Sequence, residues 1–210
     1  MNELAIRSIA GVAMIAIAIL ATVTGGYAFA LLVAGVATAV YWEWMRMVRP
    51  WSFPWKIGGF FYALIPALAL LWVRDRADNG LELVFWIFIV TWATDIGAYA
   101  AGRKIGGPKL ATRISPNKTI AGLFGGMFAA GLGGALWAEY AGLGPHYFWL
   151  GAVMAFLAQG GDLFESWMKR RAGVKDSSNI LPGHGGIFDR VDGLMVVAVA
   201  AAALSWVNLL

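Results

Sequence analysis

Cysteine is absent from this chain, and histidine nearly so, with only His146 and His184 among 210 residues. Without cysteine there is no disulfide, no thiolate metal site and no cysteine nucleophile. The two histidines lie far apart, which argues against a histidine-based metal cluster. Charge is scarce too: 13% of residues are Asp, Glu, Lys or Arg, where a soluble domain carries about a quarter. Hydrophobic residues make up 60% and the mean hydropathy is +0.69, the composition of an integral membrane protein. In such a protein the net charge of +4 reports on topology, and no nucleic-acid partner is expected. Glu3 and Arg7 precede an apolar run, but no small-residue cleavage site follows, so the run reads as a retained helix.

What is present is a series of long apolar runs. A bilayer core takes about 20 apolar residues per helix, which predicts seven helices at 4–22, 26–46, 57–73, 81–102, 119–142, 147–168 and 192–209. Gly25 and Gly26 break the first pair, leaving a short re-entrant hairpin as the alternative to two full spans. Pro50 and Pro54, the stretch 74–80, and Gly144-Pro145 mark further turns. No internal repeat is evident, and residues 1–210 read as one all-α, polytopic domain.

Of the 16 basic residues, all but Arg74 and Arg76 fall at the N-terminus or in the second, fourth and sixth loops. The positive-inside rule then puts the N-terminus and those loops in the cytoplasm. Trp42, Trp44, Trp51 and Trp55 flank one cytoplasmic turn, as an interfacial belt or as a gate for a lipid substrate.

The acids stand out against this background. Asp95 lies within the fourth helix, and Thr91, Asp95 and Tyr99 recur at i, i+4 and i+8 as one polar stripe. A carboxylate there must face protein, water or an ion, in a functional site or in a hydrogen bond between helices. Asp162, Glu165, Ser166 and Lys169 share one face at the end of helix six, and Asp189 and Asp192 begin helix seven. Oxygen ligands without His or Cys suit a hard cation such as Mg²⁺; the alternative is salt bridging to Lys169, Arg170 or Arg190. Ahead of helix five, Ser115 and Pro116 predict an N-cap and first helical position. Lys118 and Thr119 would then occupy the first turn, an anion site suited to phosphate, edged by Arg103, Lys104, Lys109 and Arg113. A plain positive-inside anchor is the simpler reading. Gly122 and Gly126 form a GxxxG pair, a helix-packing device.

The charged segment 160–193 carries a longer pattern. From Ser166 to Asp192 it reads SWMKRRAGVKDSSNILPGHGGIFDRVD. This resembles the signature of phosphatidate cytidylyltransferases, also called CDP-diacylglycerol synthases: S-x-x-K-R, four spacers, K-D, then P-G-H-G-G, two spacers and D-R-x-D. Every fixed position is met. The upstream DIGAYAAGRKIGG and SPNKTIAG are also similar to family motifs, and the resemblance covers about residues 85–209. Ala121 stands where members commonly carry Glu, and the chain is expected to lack part of the N-terminal helix set of longer members.

The resemblance implies a bacterial inner-membrane enzyme, with its active site on the cytoplasmic face, that converts CTP and phosphatidate to CDP-diacylglycerol and pyrophosphate. It implies Mg²⁺, a second cation (K⁺ in some members) and a homodimer. Carried onto this sequence, it makes Asp162 and Asp189 the leading Mg²⁺ ligands, with Asp192 and Asp95 in the same cluster. Lys118, Lys169, Arg170 and Lys175 would contact phosphates, and Ser115 and Thr119 would shape the phosphate site. Asp176 and Arg190 belong to the substrate-binding set, and Gly183, Gly185 and Gly186 would let the backbone approach the nucleotide. His184 would be a hydrogen-bonding loop residue or a proton donor to pyrophosphate. Two other readings compete. Asp189 to Gly193, DRVDG, shares the start of the CDP-alcohol phosphotransferase motif, but the further acids of that motif are missing. A transporter or cation channel would spread its charges through the bilayer depth, whereas here only Asp95 lies deep.

Overall fold

The computed structural model describes residues 3–144, 147–181, 183 and 185–207. Among these are seven α-helices: α1 (Glu3–Thr24), α2 (Gly26–Met47), α3 (Phe53–Arg74), α4 (Gly80–Lys104), α5 (Ile120–Tyr140), α6 (Tyr147–Arg171) and α7 (Phe188–Trp206). A short antiparallel ribbon, β1 (Lys109–Ala111) and β2 (Ser115–Thr119), joins α4 to α5. Among the described residues the regular structure is helical apart from this ribbon and an isolated bridge between Leu181 and Gly185. By length and apolarity α2, α3, α4 and α5 can each cross a bilayer, and α1 is apolar over Ser8–Thr24. Except for Lys175 and Asp176 in the loop, the acids, lysines and arginines of the charged segment lie inside α6 and α7 themselves.

The helix ends have identifiable causes. Gly25 and Gly26 adopt φ of +66° and +49°, a positive-φ turn that separates two 22-residue helices. The last carbonyls of α1 have no partner in their own helix. Arg74, at the end of α3, supplies one, donating from Nε to the Thr22 carbonyl at 2.8 Å. Arg76 likewise donates to the Ser205 carbonyl near the end of α7 at 3.0 Å and also contacts the Ser205 hydroxyl. α3 begins at Phe53, four residues before the expected start, because Pro54 suits the first turn, where its missing N–H is not needed.

Close helix packing places the site. At the α4–α5 seam a Cβ on Gly97 would stand 2.5 Å from the Gly125 carbonyl, and one on Gly126 would stand 2.9 Å from the Thr94 carbonyl. Gly122 lies against Ala98 in the same way, so the Gly122–Gly126 pair does serve packing. At Gly161 a Cβ would meet the Asp192 carbonyl at 2.8 Å, and this approach brings α7 onto the polar face of α6.

The aromatic cluster is not a simple belt. Trp44 is buried among Tyr62, Phe164 and Phe188, and its indole N–H donates to the Trp55 carbonyl at 2.7 Å. Trp51, Trp55 and Trp167 form a neighbouring group with the Arg171 guanidinium over them, 4.6 Å from the Trp51 ring centre. Trp42 alone of the four expected belt residues is strongly exposed.

Candidate functional site

Helical spacing puts Asp162, Glu165, Ser166 and Lys169 on one face of α6, and the Gly161 contact delivers Asp192 of α7 to the same place. Asp162, Glu165 and Asp192 each offer a carboxylate oxygen, all within 4.8 Å of one another. Lysines border the group on two sides. Lys118 Nζ lies 2.5 Å from Asp162 Oδ2 and donates to Gln159 Oε1 at 3.0 Å. Lys169 Nζ lies 2.5 Å from Glu165 Oε2 and 2.6 Å from Asp189 Oδ1. Ser166 donates to Asp162 at 3.3 Å. Glu165 is buried, and its Oε1 has no hydrogen-bond partner among the described residues. An unsatisfied buried carboxylate oxygen is costly, and here it belongs to a group of three acids. This donor set fits a hard divalent cation.

Asp95 of α4 lies within electrostatic range of this group. Its side chain is accessible and interacts electrostatically with Asp162, Lys118 and Arg190. Of its expected stripe, Thr91 bonds back to the Ile87 carbonyl of its own helix and Tyr99 pairs with Arg103 at the surface, so Asp95 alone is directed to the acids.

The loop between α6 and α7 is tied down by two carboxylates. Asp189 Oδ2 accepts from the Ser177 amide at 3.0 Å and the Gly186 amide at 2.8 Å. Glu43, a fully buried residue of α2, accepts from the Ser178 hydroxyl at 2.5 Å, the Ile187 amide at 2.9 Å and the Phe188 amide at 2.7 Å. The Ser177 hydroxyl lies 2.9 Å from both Glu43 Oε2 and Asp189 Oδ2, and its single proton serves one of them at a time. Gly185 has φ +82°, and a Cβ on Gly186 would press on both Glu43 oxygens, at 2.6 and 2.7 Å. What these glycine backbones approach in this structure is the pair of loop-holding acids.

The start of α5 corrects the sequence reading. Ser115 is not an N-cap, nor is Lys118 in a first helical turn; both lie in β2, paired with β1 through Ala111 and Lys109. Thr119 is the N-cap, and its hydroxyl accepts from the Gly122 amide at 3.0 Å. Both Ser115 and Thr119 have capping chemistry, and the ribbon decides between them by holding Ser115–Thr119 extended. Lys118 therefore faces the acids, not the free amides of α5. Arg170 reaches the Ile114 carbonyl beneath the ribbon at 3.3 Å. Lys175, Asp176, Gly183 and Arg190 are exposed around the loop. His184 and His146 lie outside the described residues.

Two acids of the site carried weaker sequence signals than their positions warrant. Glu165 belongs to the polar stripe of α6, but the ligand set that the resemblance implies holds aspartates alone. Glu43 falls in YWEWMRM, among the tryptophans that read as an interfacial belt. The available signal was a lone acid inside an apolar helix.

These features define a polytopic helical membrane protein whose acids and lysines converge at one end of its helices. A family model described as the cytidylyltransferase family matches residues 51–207. A protein named phosphatidate cytidylyltransferase from Brucella suis biovar 1 is 46% identical over 177 residues, covering 82% of this chain and 62% of its own. The namesake from Rickettsia prowazekii is 32% identical over 206 residues, covering 92% and 88%. That from Bacillus subtilis is 44% identical over 128 residues, covering 60% and 48%. The chain belongs to the cytidylyltransferase family. It spans 62% of the length of the Brucella relatives it matches.

Proposed function

We propose that the protein is a phosphatidate cytidylyltransferase, joining CTP and phosphatidate to give CDP-diacylglycerol and pyrophosphate. The observation that carries this reading is the close group of Asp162, Glu165 and Asp192, with its donorless Glu165 oxygen and two bordering lysines, inside the segment that matches the family. A phosphate oxygen of phosphatidate attacks the α-phosphorus of CTP, and the bond to the bridging oxygen breaks as pyrophosphate leaves with the electron pair. The attacking monoester is already an anion, so the protein has little proton chemistry to perform. Its work is to hold two repelling anions in line and to balance charge as it moves to the leaving group.

Lys118 and Lys169 are the cations nearest the reacting phosphates in this reading, and Arg170, Lys175 and Arg190 surround the entry. Asp162, Asp189, Asp192 and Asp95 remain the proposed acids of the Mg²⁺ site, and we add Glu165. Asp189 shares Lys169 with Glu165 and so borders the same group. When bound, Mg²⁺ with a second cation such as K⁺ would neutralise phosphate charge. All seven helices are proposed to cross the bacterial inner membrane, with the N-terminus and the acid cluster on the cytoplasmic side and two copies forming a homodimer. The basic-residue asymmetry supports that orientation.

The decisive assay is conversion of labelled CTP into a chloroform-soluble product by purified protein, with and without phosphatidate and Mg²⁺. Product that requires both is expected, and Asp162→Asn should abolish it while the protein stays folded. Folded wild-type protein that forms no lipid-linked nucleotide under these conditions would refute the assignment.

A further inference from the structure

Glu43 lies outside the acid cluster, and its helix ends before the segment that matches the family. Its side chain is nonetheless fully buried, and among the described residues its hydrogen-bond donors are two hydroxyls and two backbone amides, none of them charged. All four donors belong to the α6–α7 loop or the first residues of α7. The two amides, of Ile187 and Phe188, are among the unpaired N–H groups at the start of that helix, where a negative charge is favoured.

The contacts continue from there to the acids. Glu43 Oε2 meets the Ser177 hydroxyl, which also meets Asp189 Oδ2. Asp189 Oδ1 meets Lys169, and Lys169 meets Glu165 of the cluster. Glu43 thus sets where α7 begins, and with it where Asp189 and Asp192 stand relative to α6. From this geometry we infer that Glu43 is a positioning residue for the transferase site: from α2 it fixes the α6–α7 loop and the start of α7 against the acid cluster.

The inference rests on the proposed activity for its kinetic part only. Each Glu43 oxygen faces one backbone amide, Oε1 that of Ile187 and Oε2 that of Phe188. In Glu43→Gln the side-chain NH₂ must therefore oppose an N–H whichever way the amide is turned, because hydroxyls can rotate to accept and backbone amides cannot. The chain has no cysteine, so a single reporter at the exposed loop residue Asn179, Asn179→Cys, reads loop opening by its thiol-labelling rate in detergent. In that background Glu43→Gln should raise the labelling rate at least five-fold. It should lower kcat at least ten-fold per folded molecule, with KM for phosphatidate within two-fold.

Ser177→Ala, which removes only the shared hydroxyl, should move both readouts in the same direction by a smaller factor and serves if Glu43→Gln does not fold. Unchanged labelling and kcat in folded Glu43→Gln would overturn the inference. So would a lower yield of folded protein with unchanged kcat, since that marks a purely structural carboxylate. Should Glu43→Gln fail to fold, wild-type labelling and kcat in Ser177→Ala would overturn it. If wild-type protein shows no cytidylyl transfer, the activity assignment fails, while the labelling comparison still tests the positioning role.

Discussion

Lys118 holds its ammonium against Asp162 at 2.5 Å and Gln159 at 3.0 Å, so removing its charge has two effects of opposite sign. In the proposed reaction Lys118→Gln loses a charge-assisted contact to phosphate, typically worth about 1.5–3 kcal/mol, and catalytic efficiency should fall roughly ten- to two-hundred-fold. The same substitution frees Asp162 from a competing cation, so the Mg²⁺ concentration giving half-maximal rate should fall. Steady-state kinetics across a Mg²⁺ titration measure both. Wild-type efficiency would reduce Lys118 to an anchor, and an unchanged Mg²⁺ requirement would deny the competition. At this scale the sequence named most of the acids, because carboxylates in an apolar helix are conspicuous. It did not reveal how they divide the work. The spacing along α6 puts Asp162 and Glu165 on one face, but only the crossing of α7 at Gly161 decides that Asp192 completes their group while Asp189 turns to the loop.

At the scale of elements, α5 shows where local signals mislead. Ser115-Pro116 has every residue preference of a helix start, yet pairing with β1 holds it extended and moves the cap to Thr119. Thr119→Ala should therefore cost about 1 kcal/mol, the usual value of an N-cap. Ser115→Ala should change stability by less than about 0.5 kcal/mol, as surface substitutions generally do. Thermal unfolding in detergent compares the two, and equal losses would contradict the cap assignment.

The α4–α5 seam gives a second contrast. A Cβ at Gly97 meets the Gly125 carbonyl at 2.5 Å, whereas one at Gly133 has only side-chain contacts at 3.4 Å and beyond. Gly97→Ala should destabilise by about 1–3 kcal/mol through overpacking, and Gly133→Ala should be close to neutral in the same melt. The helices themselves were legible to within a few residues, because proline, glycine and charge interrupt otherwise apolar runs. The ribbon was not legible, since its pairing depends on a partner strand that residue preferences do not specify.

For the whole molecule, all the basic residues but Arg74 and Arg76 fall at the N-terminus or in the loops of the proposed cytoplasmic side. Single cysteines in this cysteine-free chain can test the proposed orientation. Lys175→Cys should react with an impermeant thiol reagent only when the cytoplasmic side is open, and Arg76→Cys from outside intact cells. Labelling of Lys175→Cys in intact cells would invert the topology.

Arg74 and Arg76 also hold the ends of α1 and α7, from the last residue of α3 and the short turn that follows it. Mechanically, that turn is a clasp joining the first helix and the last. A pulling load applied at the C-terminus must break the Arg76–Ser205 contacts before α7 can peel away, so that clasp should appear as the first force peak. Arg76→Gln should lower that peak in single-molecule extraction from a bilayer and leave later peaks, set by the glycine seam of α4 and α5, unchanged. A first peak of the same height in Arg76→Gln would show that α7 is held by its packed face alone.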